Sequence, residues 1–237
     1  MKVQILFDNE AAASQLSVGW GLSCLVDGRV LFDTGESDSF LFNNIDAMNV
    51  DVSKIKTVVI SHDHWDHWGG LWGLLGKRKG MDVYGCPGFG DEFKDKVKRL
   101  RANLKELSIL TKIDDNIFSS GEIPGEYGGR PMPEQALVLT SPKGLTIITG
   151  CAHPGIVKMV KEVKLSFPEK NIYAVLGGFH LMDKDRDHIA GVTKAFRDMK
   201  VKKAGPTHCS GKEAEAFFKD TYKEDFIAVK SGVTLEV

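Results

Sequence analysis

Thr57-Val58-Val59-Ile60 runs straight into Ser61-His62-Asp63-His64-Trp65-Asp66-His67. An apolar strand followed at once by four side chains with lone pairs to offer, His62, His64, Asp66 and His67, is a pattern that packing alone does not produce. Residues two apart in an extended segment point the same way, so His62 and His64 share a face. If the chain turns after His64, Asp66 and His67 can face a second, neighbouring point. Imidazole and carboxylate suit zinc, iron or manganese alike, and the string holds no thiolate of the kind that marks cysteine-type structural sites. A solvated polar turn is the plainer alternative.

The other histidines extend the pattern. Of the seven in the chain, His153 follows Thr149-Gly150-Cys151-Ala152, His180 follows Ala174–Gly178, and His208 follows Gly205-Pro206-Thr207. Each opens a loop after a strand-like run, and so does Asp33 after Val30-Leu31-Phe32. Loops at strand ends are where a rigid scaffold carries chemistry. Five strand ends, at 33, 61, 150, 178 and 206, can therefore present Asp33, the histidine string, His153, His180 and His208 to one place. His188 reads as an ordinary surface or hydrogen-bonded histidine.

Further out, residues 3–7 read as a strand, and 20–26 and 30–32 flank the turn signal Asp27-Gly28-Arg29. Helices are expected at 38–48, 69–76, 155–166, 186–199 and 211–219. Strands are expected at 57–60, 81–84, 136–140, 145–149, 172–176, 202–205, 226–229 and 233–237. Apolar residues at 93, 97, 100, 104 and 107 predict one helix over 91–108. Residues 119–135 hold four glycines and three prolines, a loop long enough to act as a lid. Hairpins beside strand–helix alternation fit neither a purely parallel doubly wound sheet nor a (β/α)₈ barrel. They fit an α/β chain with two mixed sheets and helices outside, as one domain over 1–237. Gly28–Gly35 and Gly144–Gly150 echo each other as turn, strand, Thr-Gly, so two such units can face one another.

Composition narrows the function. Across 237 residues, 31 Lys and Arg stand against 32 Asp and Glu, for a net charge of −1. That balance gives no electrostatic case for nucleic acid or an anionic membrane surface. No apolar run reaches the roughly 18 residues of a membrane span. MKVQILFDNE lacks the length and cleavage site of a signal peptide, so a cytoplasmic location is expected. The four cysteines, Cys24, Cys86, Cys151 and Cys209, form no CxxC pair and imply neither a disulfide framework nor a zinc ribbon. Cys151 and Cys209 lie near candidate ligands. They read as small buried thiols, with a thiolate ligand or nucleophile as the other reading. Trp65 and Trp68 are either a flat wall for a heterocyclic substrate or packing under the histidine loop, and Trp72 reads as packing. Asp8 and Asn9 reach the pocket rim or cap a turn.

His62-x-His64-x-Asp66-His67, with Asp33 before it and His153 and His208 after it, resembles the metallo-β-lactamase superfamily. Leu31-Phe-Asp-Thr-Gly35, Gly150-Cys-Ala-His-Pro-Gly155, Gly177-Gly-Phe-His-Leu181 and His208-Cys-Ser-Gly211 are closer to one branch, the dihydropterin–ribofuranosylaminobenzene-phosphate synthase-like proteins. That branch also contains metal-dependent hydrolases. The resemblance implies a four-layer αββα sandwich with a dinuclear site. His62, His64 and His153 would hold the first divalent ion, and Asp66, His67 and His208 the second. Asp33 would steady the histidine loop from behind. Zinc is the first expectation, with iron or manganese accepted by the same ligands.

One departure matters. The superfamily usually places a bridging aspartate after the fourth-motif strand, where this chain reads Gly-Gly-Phe-His180. Two divalent ions carry +4, and Asp66 with one hydroxide returns only −2, so one ion or two stays open. An anionic substrate would complete the balance. The activity implied is hydrolysis of a small, anionic substrate of phosphate-ester or lactone type by a metal-bound hydroxide. Asp66 would orient the nucleophile, and His180 would bind substrate, ligate or protonate the leaving group. The runner-up is a transferase joining a dihydropterin to a ribofuranosylaminobenzene phosphate with loss of pyrophosphate. A non-catalytic, metal-stabilised binding domain is the alternative of another class. It fits less well, since structural zinc usually has four closed ligands.

Overall fold

The first strand, β1 (Lys2–Phe7), alternates: Val3 and Ile5 enter one apolar cluster while Leu6 enters another. A strand buried on both faces belongs inside layers, and the rest of the computed structural model, which describes residues 1–237, supplies them. The hairpin β2 (Ser23–Val26) and β3 (Val30–Phe32) is followed by β4 (Thr57–Val59), β5 (Asp82–Gly85) and β6 (Asn103–Glu106), and β15 (Thr234–Glu236) closes the other edge. Their order is β15-β1-β2-β3-β4-β5-β6, antiparallel up to β3 and parallel from β3 onward. The second sheet runs β14 (Lys203–Thr207), β13 (Ile172–Gly178), β12 (Gly144–Thr149), β11 (Leu137–Ser141), β8 (Ile117–Ser119) and β7 (Thr111–Asp114). Here β12, β13 and β14 are parallel and the remaining pairs antiparallel.

Between the sheets, Val3, Ile5, Phe32 and Val59 meet Leu137, Leu139, Ile148 and Leu176. Outside the first sheet, α1 (Asp38–Ala47), α3 (Leu71–Lys77) and α4 (Asp91–Arg99) bury Leu41, Ile45, Leu74, Phe93 and Val97. Outside the second, α5 (Ile156–Ser166), α6 (Arg186–Asp198) and α7 (Lys212–Tyr222) bury Met159, Val163, Ile189, Phe196 and Phe218. This is the αββα sandwich. Each large side chain fully removed from water adds roughly 1.5–3 kcal/mol of hydrophobic driving force. No helix is long and apolar enough to cross a membrane.

The internal echo is topological. In each sheet a hairpin, β2/β3 or β11/β12, is followed by strands added in parallel. The two hairpins end side by side: a Cβ on Gly150, just past β12, would lie 2.1 Å from Ser61 Oγ and 3.1 Å from Asp33 Oδ2. Only glycine lets the two sheets meet this closely.

The expected helix over 91–108 is two elements. It stops at Arg99, where Arg101 and Ala102 donate their N–H groups to Lys98 and Val97 and Arg101 turns left-handed (φ 60). This C-terminal cap is normally marked by glycine, which is absent here. Beyond it, β6 pairs in register with β5, Asp82 opposite Asn103. The apolar spacing at 100, 104 and 107 therefore spans a turn and an edge strand. The 226–229 run makes only one bridge, Ala204 to Phe226. The 119–135 loop is partly ordered as a hairpin, β9 (Glu126–Tyr127) with β10 (Arg130–Pro131), turned by Gly128 and Gly129.

Candidate metal centre

Asp33 follows β3 in a left-handed conformation (φ 54). Its carboxylate is buried and fully used. Oδ1 accepts from the Ser61 backbone N–H (2.7 Å), and Oδ2 accepts from Ser61 Oγ (2.7 Å) and His67 Nδ1 (2.6 Å). With Nδ1–H donated to Asp33, the His67 Nε2 faces the other way, toward Asp66 Oδ2 (3.2 Å) and Cys151 Sγ (3.3 Å). The turn that the spacing of the histidine string requires is α2 (Trp65–Trp68), a single helical turn that starts directly after extended His64. Gly21 makes room for it: a Cβ there would lie 2.0 Å from Asp66 O.

Two ligand groups result. His62, His64 and His153 bring ring nitrogens within 4.8 Å of one another, with His62 Nε2 and His64 Nδ1 3.1 Å apart. Asp66, His67 and His208 do the same with Cys151 as a fourth member. His208 Nε2 is 3.2 Å from Asp66 Oδ2, and its Nδ1 is 3.2 Å from Asn9 Oδ1. Nδ1 also accepts the Gly21 backbone N–H (3.1 Å), so the ring is fixed from behind while Nε2 faces Asp66. Asn9 also donates its amide N–H to the His208 carbonyl (3.3 Å), so Asn9 and Gly21 together set the orientation of this candidate ligand. Asp8 lies under the same strand end, accepting from Thr207 Oγ1 (2.6 Å). His180 joins Cys151 and His153 in a third overlapping group. Asp33, Ala152, His180 and His208 all have positive φ, between 53° and 62°. Such strain in non-glycine residues collects where side chains must be aimed.

Charge follows geometry. Burial and the neighbouring imidazoles hold His62 well below the usual histidine range and His153 down to about 3. His67 goes the other way. Burial opposes its charging, but Asp33 and Asp66 outweigh that and raise it well above the ordinary value. Asp66 is lowered although burial resists its ionisation, because His67 and His208 face it. Both ring nitrogens of His153 and Nδ1 of His180 are buried with no hydrogen-bond partner. Buried polar atoms are rarely left so, and converging orphaned nitrogens fit a cation. The donor set therefore suits divalent metal.

Several contributors escape a reading of the sequence. Glu134, at the base of the glycine-rich loop, is fully buried. Its Oε1 accepts the backbone N–H groups of Gly150, Cys151 and Ala152 (3.0, 3.0 and 2.9 Å), and Oε2 accepts that of His153 (2.9 Å). Burial pushes it up to about 7 although those N–H groups pull it down. It fixes the turn that carries Cys151 and His153. The β9/β10 hairpin sets Tyr127 over the imidazoles, its ring 5.0 Å from His64 and 4.9 Å from His153. Trp20 packs 4.8 Å from His208.

Trp20, Trp65 and Tyr127 wall a cavity of about 260 Å³ that also touches Cys151, His153 and His180. Trp65 is 52% exposed. Trp68 is elsewhere: it packs on Trp72 and Phe93 and donates Nε1–H to Asp63 Oδ1 (3.0 Å). It supports the loop from beneath and does not line that cavity. A second cavity, of about 730 Å³, shares Tyr127, His153 and His180 and adds Ile156, Val192, Lys158 and Lys184 to its walls. His188 lines it too.

Comparison with known proteins agrees with this geometry. Residues 22–163 match the metallo-beta-lactamase superfamily. The chain is 32% identical to 7,8-dihydropterin-6-methyl-4-(beta-D-ribofuranosyl)-aminobenzene-5'-phosphate synthase of Methanocaldococcus jannaschii, over 90% of this chain and 88% of that protein. It superposes on the crystal structure of Tm1679, a metal-dependent hydrolase of the beta-lactamase superfamily, with a TM-score of 0.84 and 30% identity, covering 100% of this chain and 99% of the other. Human tRNase Z, short form, at 14% identity and a TM-score of 0.59, shares the fold. Fold, ligand geometry and sequence together place the chain in the metallo-β-lactamase superfamily.

Proposed function

We propose that this protein is a metal-dependent hydrolase of a small, anionic substrate carrying a phosphate-ester or lactone-like bond. One observation carries the reading: two groups of ligand atoms, one of three imidazoles and one built on Asp66, open together on an aromatic-walled cleft. A closed structural site would not border a cavity of that size. His62, His64 and His153 would hold one divalent ion and Asp66, His67 and His208 a second, zinc being the first choice for such donors. Bound there, divalent metal supplies Lewis acidity near neutral pH. The protein's own groups do the rest. Asp33 keeps the His67 proton on Nδ1. Lys158 and Lys184, on the wall of the larger cavity, attract the anionic part of the substrate. Tyr127 and Trp65 limit access of bulk water. His180, with Nδ1 unpaired beside His153, donates a proton to the leaving oxygen.

A second reading is favoured by the 32% identity to the methanogen synthase: transfer of a dihydropterin unit to a ribosylated aminobenzene phosphate, with pyrophosphate leaving. Incubation of zinc-loaded protein with phosphodiesters, lactones and a dihydropterin pyrophosphate, with and without the aminobenzene acceptor, separates them. Hydrolysis requires turnover without acceptor. Pyrophosphate release that depends on the acceptor would establish transfer instead, and stoichiometric metal with no turnover of any substrate would leave a binding domain.

A further inference from the structure

We infer that Cys151 is a metal ligand, its thiolate set between the two ion positions and supplying the negative charge that no carboxylate supplies there. The inference rests on the metal-centre reading above and deepens it.

Cys151 Sγ is the one sulfur among the ligand groups, and it belongs to two of them: with Asp66, His67 and His208, and with His153 and His180. His153 in turn belongs to the imidazole group with His62 and His64. The sulfur therefore stands where the two groups adjoin, 3.3 Å from the outward nitrogen of His67. Its backbone is pinned by Glu134 through the Cys151 N–H (3.0 Å), so the position is built.

Elimination points the same way. Two divalent ions bring +4, and Asp66 alone returns −1. Of the other acids nearby, Asp8 belongs to none of the ligand groups, and the rest are occupied. Both Asp33 oxygens bind Ser61 and His67, both Glu134 oxygens bind backbone N–H groups, and Asp63 binds Trp68 and the Gly90 N–H. The strand end at Gly178 leads to Phe179 and His180, neither of them anionic. Two thiols border the cleft, Cys151 and Cys209, and of these only Cys151 places its sulfur within a ligand group. The plainer role for a buried thiol is packing, and two cysteines here do pack: Cys24 lies in the inter-sheet core and Cys86 in the core under α1, α3 and α4. Cys151 and Cys209 belong to none of the apolar clusters, and Cys209 lies in none of the ligand groups.

Coordination breaks the S–H bond and forms a metal–sulfur bond, and the proton leaves to solvent. A thiolate in the set also biases it toward softer ions, zinc, cobalt or ferrous iron, and against magnesium and manganese.

The test is cobalt substitution. Cobalt(II)-loaded protein should show thiolate-to-metal charge-transfer absorption in the near ultraviolet. Cys151→Ser should lose that band and drop from about two ions per chain to about one, while Cys209→Ser keeps both. X-ray absorption of the zinc-loaded wild-type protein gives a readout independent of any variant's folding, with one sulfur at about 2.3 Å. Bound metal with only nitrogen and oxygen neighbours overturns the Cys151 assignment and leaves the histidine centre standing. Wild-type protein that binds no metal overturns the centre itself, and the thiolate with it.

Discussion

The two ligand groups lie side by side and differ in kind. His62, His64 and His153 are three imidazoles whose basicity is depressed by burial and by neighbouring imidazoles, so the group is neutral and has no internal ion pair. In the group of Asp66, His67, His208 and Cys151, by contrast, a His67 of raised basicity is clamped between the carboxylates of Asp33 and Asp66, opposite charges already in contact. The first group waits for a cation with lone pairs that protons do not take. The second must exchange an internal proton for one. Neighbouring sites on one fold can thus differ in how strongly pH governs their filling, because one is built from neutral ligands and the other from a charge network.

The sharpest break of that contrast is His64→Ala. It removes a nitrogen from the neutral group, and we expect metal there to be lost and turnover to fall by about 10³-fold or more, the scale of losing a Lewis acid worth several kcal/mol. Elemental analysis beside an activity assay checks both, and near wild-type turnover would take the metal out of the chemistry. Next comes pH. Because His67 is raised and ligation needs its neutral form, affinity at the second group should fall by about tenfold per pH unit below the His67 value. At the first group, where His153 stays unprotonated down to about 3, affinity should hold. Metal titrations at pH 8 and pH 6 should therefore show one tight ion at both and a second that binds more weakly at the lower pH. Parallel weakening of both ions would erase the distinction.

Why the first part of this site is legible from the chain, and the second less so, is a matter of range. His62, His64, Asp66 and His67 lie within six residues, and their alternation and turn are local rules that α2 obeys. The layers follow similarly from hairpin signals and amphipathic helices. Glu134 is another matter. It reads as an ordinary acid near a proline, and its role exists only because folding brings the N–H groups of 150–153 onto it. Tyr127 is hidden inside a loop whose glycines announce a turn but not where its aromatic ring lands. Cys151 carried a local hint, two residues from His153, but buried thiols usually pack. The split of 91–108 into α4 and β6 turns on Arg101 accepting a left-handed conformation without glycine. No period in the sequence records that.

Smaller effects sharpen the comparison from behind. Asp33→Asn keeps the shape but no longer fixes the His67 proton on Nδ1. Loss of such a support typically lowers metal affinity by about 10–100-fold, and here the second ion should weaken more, because Asp33 bonds His67 directly and reaches His62 only through Ser61 Oγ (2.9 Å from His62 Nδ1). Competition with a chromophoric chelator resolves the two ions. Equal weakening of both would mean that Asp33 acts through Ser61 on the whole loop.

The tryptophans give the finest cut. Trp68 fills space beneath α2 against Trp72 and Phe93, so Trp68→Ala opens a cavity. A fully buried tryptophan loses about 3–5 kcal/mol on truncation, and partly buried Trp68 should lose about half that, seen as a lowered denaturation midpoint with an unchanged slope. Trp65, half in solvent on the same helical turn, should leave stability within about 0.5 kcal/mol when changed to Ala and act instead on KM. Adjacent faces of one turn would then divide between holding the ligand loop and meeting the substrate. A stability loss at Trp65 equal to that at Trp68 would show that α2 is held from both sides, and that the cleft wall is part of the scaffold.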